Sequence, residues 1–196
     1  MPEPLHADAR ALDPRFVLRE ATAGLHAQVD ALMPLAREAP TLADYRSHLA
    51  LPARWLRELP LDAALLRQEA EALALDLREC DRLLGVSASV PADAAPAEVP
   101  APAAHPDGFG WGVRYVLEGS KLGGQVLFRR LAGALAPHPL GYLRGAGRDV
   151  GARWSAFLAE LREHLLREEQ LRAACEGAVH AFELLLACRR EAAESA

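Results

Sequence analysis

One histidine lies among charged residues at spacings that suit a bound metal. Arg19 lies seven residues before His26, and Asp30 lies four residues after it. On a helix these residues share nearly one face, with Arg19 about 10 Å from His26 along the axis. One nitrogen of the imidazole could bind a metal while Asp30 orients the ring through the other nitrogen. The distance from His26 to the cation Arg19 is similar to the distance between the iron and the propionates of heme, so this pair suits a bound heme. An ordinary surface or core histidine, with Asp30 solvating that face, is the alternative.

A second unusual feature is the segment FGWGVRYVLEGSKLGGQVLFRRLAGAL, residues 109–135. Its apolar residues have helical spacing, although each glycine inside a helix costs about 1 kcal/mol relative to alanine. Gly119 and Gly123 share one helical face, and Gly124 lies beside them. A helix without side chains along one stripe can lie very close to a flat object. The spacing leaves two interpretations open, a closely packed neighbouring helix and a bound planar ligand.

Other constellations give weaker indications. A ferritin-like di-iron site requires Glu-x-x-His pairs, whereas here the separations are one residue longer, in the pairs Glu160/His164 and Glu176/His180. The glycines of GAGRDVG follow no predicted strand, which argues against a dinucleotide site. Three widely spaced cysteines favour neither a disulfide framework nor a zinc site, and small buried apolar side chains are the simpler interpretation (Cys80, Cys175, Cys188).

The composition narrows the class of protein. The chain has 196 residues and a formal net charge of −5, with basic residues scattered among acidic ones. This argues against a nucleic-acid partner, because phosphate binding favours a basic stripe. No apolar run is long enough to cross a bilayer, and the first ten residues lack a secretory pattern. We therefore expect a cytoplasmic protein without a membrane partner.

The periodicity predicts an all-α, multi-helix bundle, because no strand-like alternation occurs. Helix starts are indicated at Asp13-Pro14, at Thr41 with Asp44 and near Asp62, with Gly85 as a stop. Pro34 should end or bend the first helix, and Pro52 should kink the second. Later helices are expected over about 149–166 and 168–189. A Pro/Ala-rich exposed connection at about 86–107 interrupts what we predict to be one domain, residues 1–196.

Two segments together resemble the heme oxygenase family. RFVLREATAGLHAQVDAL is similar to the proximal helix of these proteins, and YVLEGSKLGGQVL is similar to the distal helix that glycines kink over the heme. The YVLEGSxLGG form is closest to bacterial members that serve bacteriophytochromes. Weaker similarity extends through LALDLRECDRLLG, ARWSAFLAEL and AVHAFELLLA. The resemblance covers most of the chain and implies a heme oxygenase-like fold with a glycine-kinked distal helix.

The resemblance also implies roles for individual residues. His26 matches the proximal ligand to the heme iron, and Arg19 matches a propionate-binding residue. Ser120 stands where many heme oxygenases have a catalytic Asp. The implied catalytic set is therefore Gly119, Ser120 and Gly123, and the implied heme-binding set adds further residues (Arg19, His26, Gly124, Arg153). Lys121 is a further possible charge partner.

The implied reaction opens heme, which is both cofactor and substrate, to biliverdin, carbon monoxide and ferrous iron. It consumes O2 and electrons from an external donor, either a ferredoxin-type protein or a flavoprotein, and the product could pass to a bacteriophytochrome. A non-catalytic heme carrier or sensor would have much the same sequence. A thiaminase-like enzyme would need a cysteine nucleophile, for which no motif is present. A helical interaction module without a ligand is the remaining alternative.

Overall fold

Residues 13–32, 35, 39–86 and 105–194 are described by a computed structural model. This part of the chain forms six α-helices and no strand, which confirms the predicted all-α fold class. The helices are α1 (Pro14–Ala31), α2 (Leu42–Glu58), α3 (Ala63–Leu84), α4 (Phe109–Leu131), α5 (Val150–His164) and α6 (Glu168–Glu194). Within the described ranges, no helix is long and apolar enough to span a membrane.

The predicted helix starts are confirmed by their capping hydrogen bonds. Asp13 accepts from the backbone of Arg15 over 3.0 Å, and Pro14 occupies the first turn of α1. Thr41 and Asp44 form a reciprocal capping box at the start of α2. Side-chain oxygens satisfy N–H groups that have no partner within the helix, so each start is encoded locally.

The later helix boundaries are also near those predicted. Gly85 ends α3 in the left-handed conformation that favours glycine. Pro52 lies inside α2, and its predicted kink stays a prediction. Pro34 and most of the predicted 86–107 connection, residues 87–104, lie outside the described residues.

Helix α6 is the central element of the bundle, because α1, α2 and α4 all pack against it. The contact between α4 and α6 is the most extensive and depends on two glycines. A Cβ on Gly112 would lie 1.7 Å from the carbonyl oxygen of Ala174, and a Cβ on Gly177 would lie 2.1 Å from that of Phe109. Only glycine permits this separation of the two backbones.

Helices α2 and α3 form the other side of the bundle. The indole of Trp55 on α2 is buried and donates to the carbonyl oxygen of Ala181 over 2.8 Å, which fixes α2 to α6. On α3, buried Asp76 accepts hydrogen bonds from the hydroxyl of Tyr45 and from the backbone of Gly141 and Tyr142. One carboxylate therefore holds the connection between α4 and α5 against the core.

Candidate functional site

His26 lies on the exposed side of α1, and its side chain is 63% accessible. Its Nδ1 lies 3.0 Å from the carboxylate of Asp30, and its ring lies 5.8 Å, centroid to centroid, from that of Phe182 on α6. A neutral imidazole that donates through Nδ1 presents the lone pair of Nε2 outward, which is the arrangement of many metal-binding histidines. The pair predicted from spacing is therefore formed in the structure.

The positive charge beside His26 is part of a larger group. Arg15 and Arg19 are exposed on α1 and lie close to the phenol of Tyr115 on α4. Burial raises the pKa of Tyr115, while the two guanidinium groups act in the opposite direction. Two cations and a phenol are suitable partners for carboxylates. Sequence reasoning missed Tyr115 and Arg15, although Arg15 lies close to the helical stripe of Arg19 and His26.

The glycines of α4 differ in how much space a hypothetical Cβ atom would have at each position. Among the described residues, the added atom meets nothing within 4 Å at Gly123, and at Gly119 it meets only the ring of Trp154, at 3.9 Å. A close protein contact therefore explains Gly112 but neither Gly119 nor Gly123. The spacing left open either a closely packed neighbouring helix or a bound planar ligand. A neighbouring helix does not account for the glycines at positions 119 and 123. As far as the described residues show, the stripe borders open space at Gly123, and it also carries exposed Leu122 and Val126.

Gly124 has a different environment. A Cβ there would lie 3.3 Å from the carbonyl oxygen of Leu143, so the approach of the α4–α5 connection already accounts for glycine at this position. Its predicted heme-binding role stays a prediction, as do those of Gly119 and Gly123. Ser120 is exposed, and its hydroxyl donates to the carbonyl oxygen of Leu117 over 2.7 Å, within the same helix. That bond leaves the oxygen lone pairs of Ser120 available as acceptors.

Arg153 and Lys121 are held by carboxylates. The guanidinium of Arg153 contacts Glu69 at 3.1 Å and Glu118 at 2.7 Å. Lys121 is buried and lies 2.5 Å from Glu69. The predicted heme-binding role of Arg153 stays a prediction, and the structure gives this residue a clear internal function in joining α5 to α3 and α4.

Helices α1 and α4 pack on the same stretch of α6. Phe182 contacts His26, while Ala178, one turn earlier, and Ala174, two turns earlier, contact Gly112. The packing that holds the bundle together runs through α6 and α5, with no extensive direct packing between α1 and α4 in the described residues. The arrangement therefore has an imidazole and cations on one helix and a bare, apolar stripe on the other. The imidazole and cations are groups that can bind a metal and an anion, and a bare apolar stripe can lie against a flat group.

Comparison with known proteins decides the family. No family model matches the chain. A heme oxygenase from Xanthomonas campestris pv. campestris is 37% identical over 134 residues, which are 67% of this chain and 71% of the relative. The chain belongs to the heme oxygenase family. Its fold agrees with the crystal structures of the NO- and CO-bound heme oxygenase from Neisseria meningitidis, with a TM-score of 0.66, 23% identity and 92% of each chain covered.

The structure also bears on two alternatives to a heme site, a di-iron site and a cysteine nucleophile. Among the described residues, no group of three or more His, Cys, Asp or Glu side chains could hold a metal ion. The three cysteines are free; Cys80 and Cys188 are buried, and Cys175 is half-buried. Burial raises the pKa of each thiol, to about 12 for Cys80, so none of them resembles an activated nucleophile.

Proposed function

We propose that this chain binds heme through His26 and opens it oxidatively to biliverdin, carbon monoxide and ferrous iron. The observation that carries the proposal is the bare stripe at Gly119 and Gly123, which no close contact among the described residues explains, on a chain of the heme oxygenase family. Heme is the substrate, and its iron is the centre at which O2 is activated with electrons from an external donor.

The side chains at and near His26 fit a bound heme. Nδ1 of His26 is held by Asp30, which leaves Nε2 for the iron and increases the electron-donating strength of the ring. Arg15, Arg19 and Tyr115 would bind propionates, because guanidinium and phenol groups donate charge-assisted hydrogen bonds to carboxylates. All these groups are accessible or half-buried, so the ligand could enter from solvent.

The α4 side would control what happens at the other face of the porphyrin. Gly119 and Gly123 would leave room there and would let the helix backbone approach the ring, because a Cβ built on either meets no backbone within 4 Å among the described residues. Ser120 provides hydroxyl lone pairs that could hold an ordered water, whereas the Asp found here in many heme oxygenases would provide a charge. We propose that Ser120 and backbone groups orient water and exclude bulk solvent on this side, without a strong acid.

A finer proposal concerns the subgroup of heme oxygenases to which this chain belongs and the protein that receives its biliverdin. The YVLEGSxLGG form of α4 resembles heme oxygenases that serve bacteriophytochromes, and we propose that the biliverdin formed here is used as a chromophore. A test is to supply the reaction mixture with a bacteriophytochrome apoprotein and record its red absorbance. If the assembled chromoprotein does not form although biliverdin is released, this finer proposal is wrong.

Two successive measurements test the main proposal. Purified protein is titrated with hemin while the Soret absorbance is recorded, and the expected result is saturation at one hemin per chain. Ascorbate or a ferredoxin with its reductase is then added under air, and bilin absorbance should replace the Soret band. His164→Ala is a matched control, because His164 is exposed on α5.

The outcomes separate the candidate functions. Failure of the wild-type protein to bind hemin would leave a helical interaction module as the better interpretation. Stoichiometric binding without bilin formation would indicate a heme carrier or sensor. Loss of binding in His26→Ala, with His164→Ala unaffected, is the result expected for proximal ligation.

A further inference from the structure

The back of α4, behind the glycine stripe, carries a network of charges in which three members are buried and two arginines are half-buried. We call it the Glu69 network; its members come from α3, α4, α5 and the α4–α5 connection (Glu69, Glu118, Lys121, Arg148, Arg153). We propose that this network positions the glycine-bearing turn of α4, and that it thereby determines which edge of a bound porphyrin is open to oxidation. The second half of this inference rests on the proposed function; the first does not.

Two members of the network lie on the glycine-bearing turn itself. Glu118 and Lys121 immediately flank Gly119 and Ser120, and both side chains are about 95% buried, at 5% and 6% accessibility. Lys121 contacts Glu69 on α3 at 2.5 Å and lies 4.4 Å from the ring centroid of Tyr142. Arg153 on α5 joins the carboxylates of Glu69 and Glu118. The turn is thus tied to both neighbouring helices.

The central pair of the network, Glu69 and Lys121, stays ionised. Burial raises the pKa of Glu69, but Lys121, Arg153 and Arg148 more than offset this effect and hold the pKa below its usual range. Burial lowers the pKa of Lys121, whereas Tyr142 and Glu69 together raise it above its usual range. Removing one charge from such a set leaves its partners buried without compensation, which is costly.

Because leaving one of these charges unpaired is costly, the network restricts the glycine-bearing turn of α4 to one arrangement. The glycines of this turn contribute no side chains of their own to packing, and they have a weaker intrinsic preference for helix. The position of the Gly119–Gly123 stripe must therefore be set from the opposite side, where the charged contacts lie. Replacing buried ion pairs by apolar residues is often neutral for stability. We therefore infer that the ion pairs of this network act mainly by specifying a single geometry of the turn.

Hydrogen exchange of the heme-free, full-length protein tests the positioning directly. We compare wild type with Glu69→Gln, which keeps the shape of the side chain and removes its charge. Backbone amides of residues 119–124 should exchange at least about tenfold faster in the variant, relative to amides of α6. Asp81→Asn is the matched control, because Asp81 is also a buried carboxylate on α3 but pairs with Arg46 on α2.

A second readout uses the hemin-loaded protein. In Glu69→Gln we expect stoichiometric hemin binding with a changed ratio of biliverdin isomers, whereas Asp81→Asn should keep the wild-type ratio. Should Glu69→Gln fail to fold, Arg153→Lys takes its place, because it breaks the bridge between Glu69 and Glu118 and keeps the positive charge.

The positioning role is overturned if residues 119–124 exchange as in wild type, or if their exchange rises only in parallel with that of α6. The link to regiospecificity is overturned if exchange rises but the isomer ratio does not change. A wild-type protein that binds no hemin would contradict the proposed function, while the exchange measurement would still decide whether the network positions the turn.

Discussion

The carboxylate of Asp30 lies 3.0 Å from Nδ1 of His26, one helical turn further along α1. The pair is exposed, so it contributes little to folding. Its effect is on the orientation of the imidazole and on which nitrogen carries the proton. A contact of this kind matters to a ligand bound at Nε2 far more than to the stability of the helix.

Asp30→Asn is therefore expected to weaken hemin binding by about tenfold or more without changing the thermal midpoint of the heme-free protein. The measurement is a hemin titration together with circular dichroism melting. Glu20→Gln, an exposed carboxylate elsewhere on α1, is the control and should bind hemin like the wild type. Equal affinities for the Asp30 and Glu20 variants would contradict a role for Asp30 in orienting the ring.

Gly123→Ala and Gly112→Ala should have opposite effects on stability. At position 123 the new Cβ meets none of the described residues within 4 Å, so the heme-free protein should gain up to about 1 kcal/mol in its free energy of unfolding from the better helix former. At position 112 the Cβ would be forced against the backbone of Ala174, at a cost of about 3 kcal/mol. Urea denaturation of both variants measures the difference.

Gly123→Leu extends this test to the ligand. A leucine side chain would fill the space beside the stripe, so hemin affinity should fall at least about tenfold while the heme-free protein remains folded. Unchanged affinity would mean that the stripe does not face the ligand. Gly110→Leu is a suitable control, because a Cβ at position 110 also meets nothing within 4 Å but lies on the opposite face of α4 from Gly119.

Buried His48 should make the protein less stable in mild acid. Burial lowers the pKa of His48 to about 4, below its ordinary value of 6.5. Between these values the unfolded chain binds a proton that the folded chain does not, so stability falls as the pH decreases from 6.5 to 4. At pH 5 this one residue should cost about 2 kcal/mol relative to pH 7.

The measurement is urea denaturation of wild type and His48→Leu at pH 7 and pH 5. The loss of stability between the two pH values should be smaller in the variant by about 2 kcal/mol, since leucine does not titrate. Other groups contribute equally to both proteins. An identical pH dependence in the two would show that His48 is not held in its neutral form.

Asp76→Ala should destabilise the protein by on the order of 3 kcal/mol, because Tyr45 and two backbone N–H groups would lose their acceptor. Glu79→Ala is the control on the same helix; its partner Arg82 is exposed, and little change is expected. Protease sensitivity of the α4–α5 connection, residues 132–149, provides a local readout. Equal effects of the two substitutions would contradict the anchoring role of Asp76.

The sequence by itself determined the helices and the His26–Asp30 contact. Capping bonds such as those of Asp13 and Thr41 join residues no more than three positions apart, so residue type and order suffice to predict them. The His26–Asp30 pair is likewise separated by one turn. The resemblance of α1 and α4 to known heme oxygenase helices was also present in the sequence, and comparison confirmed the family.

Only the tertiary structure decided what each glycine and each buried charge does. Spacing placed Gly119, Gly123 and Gly124 in one group, but the backbone that approaches Gly124 comes from a different part of the chain. Arg153 and Glu69 are 84 residues apart, so no local pattern predicts that they meet. Contacts of this kind follow from how helices pack in three dimensions, which periodicity along one helix does not specify.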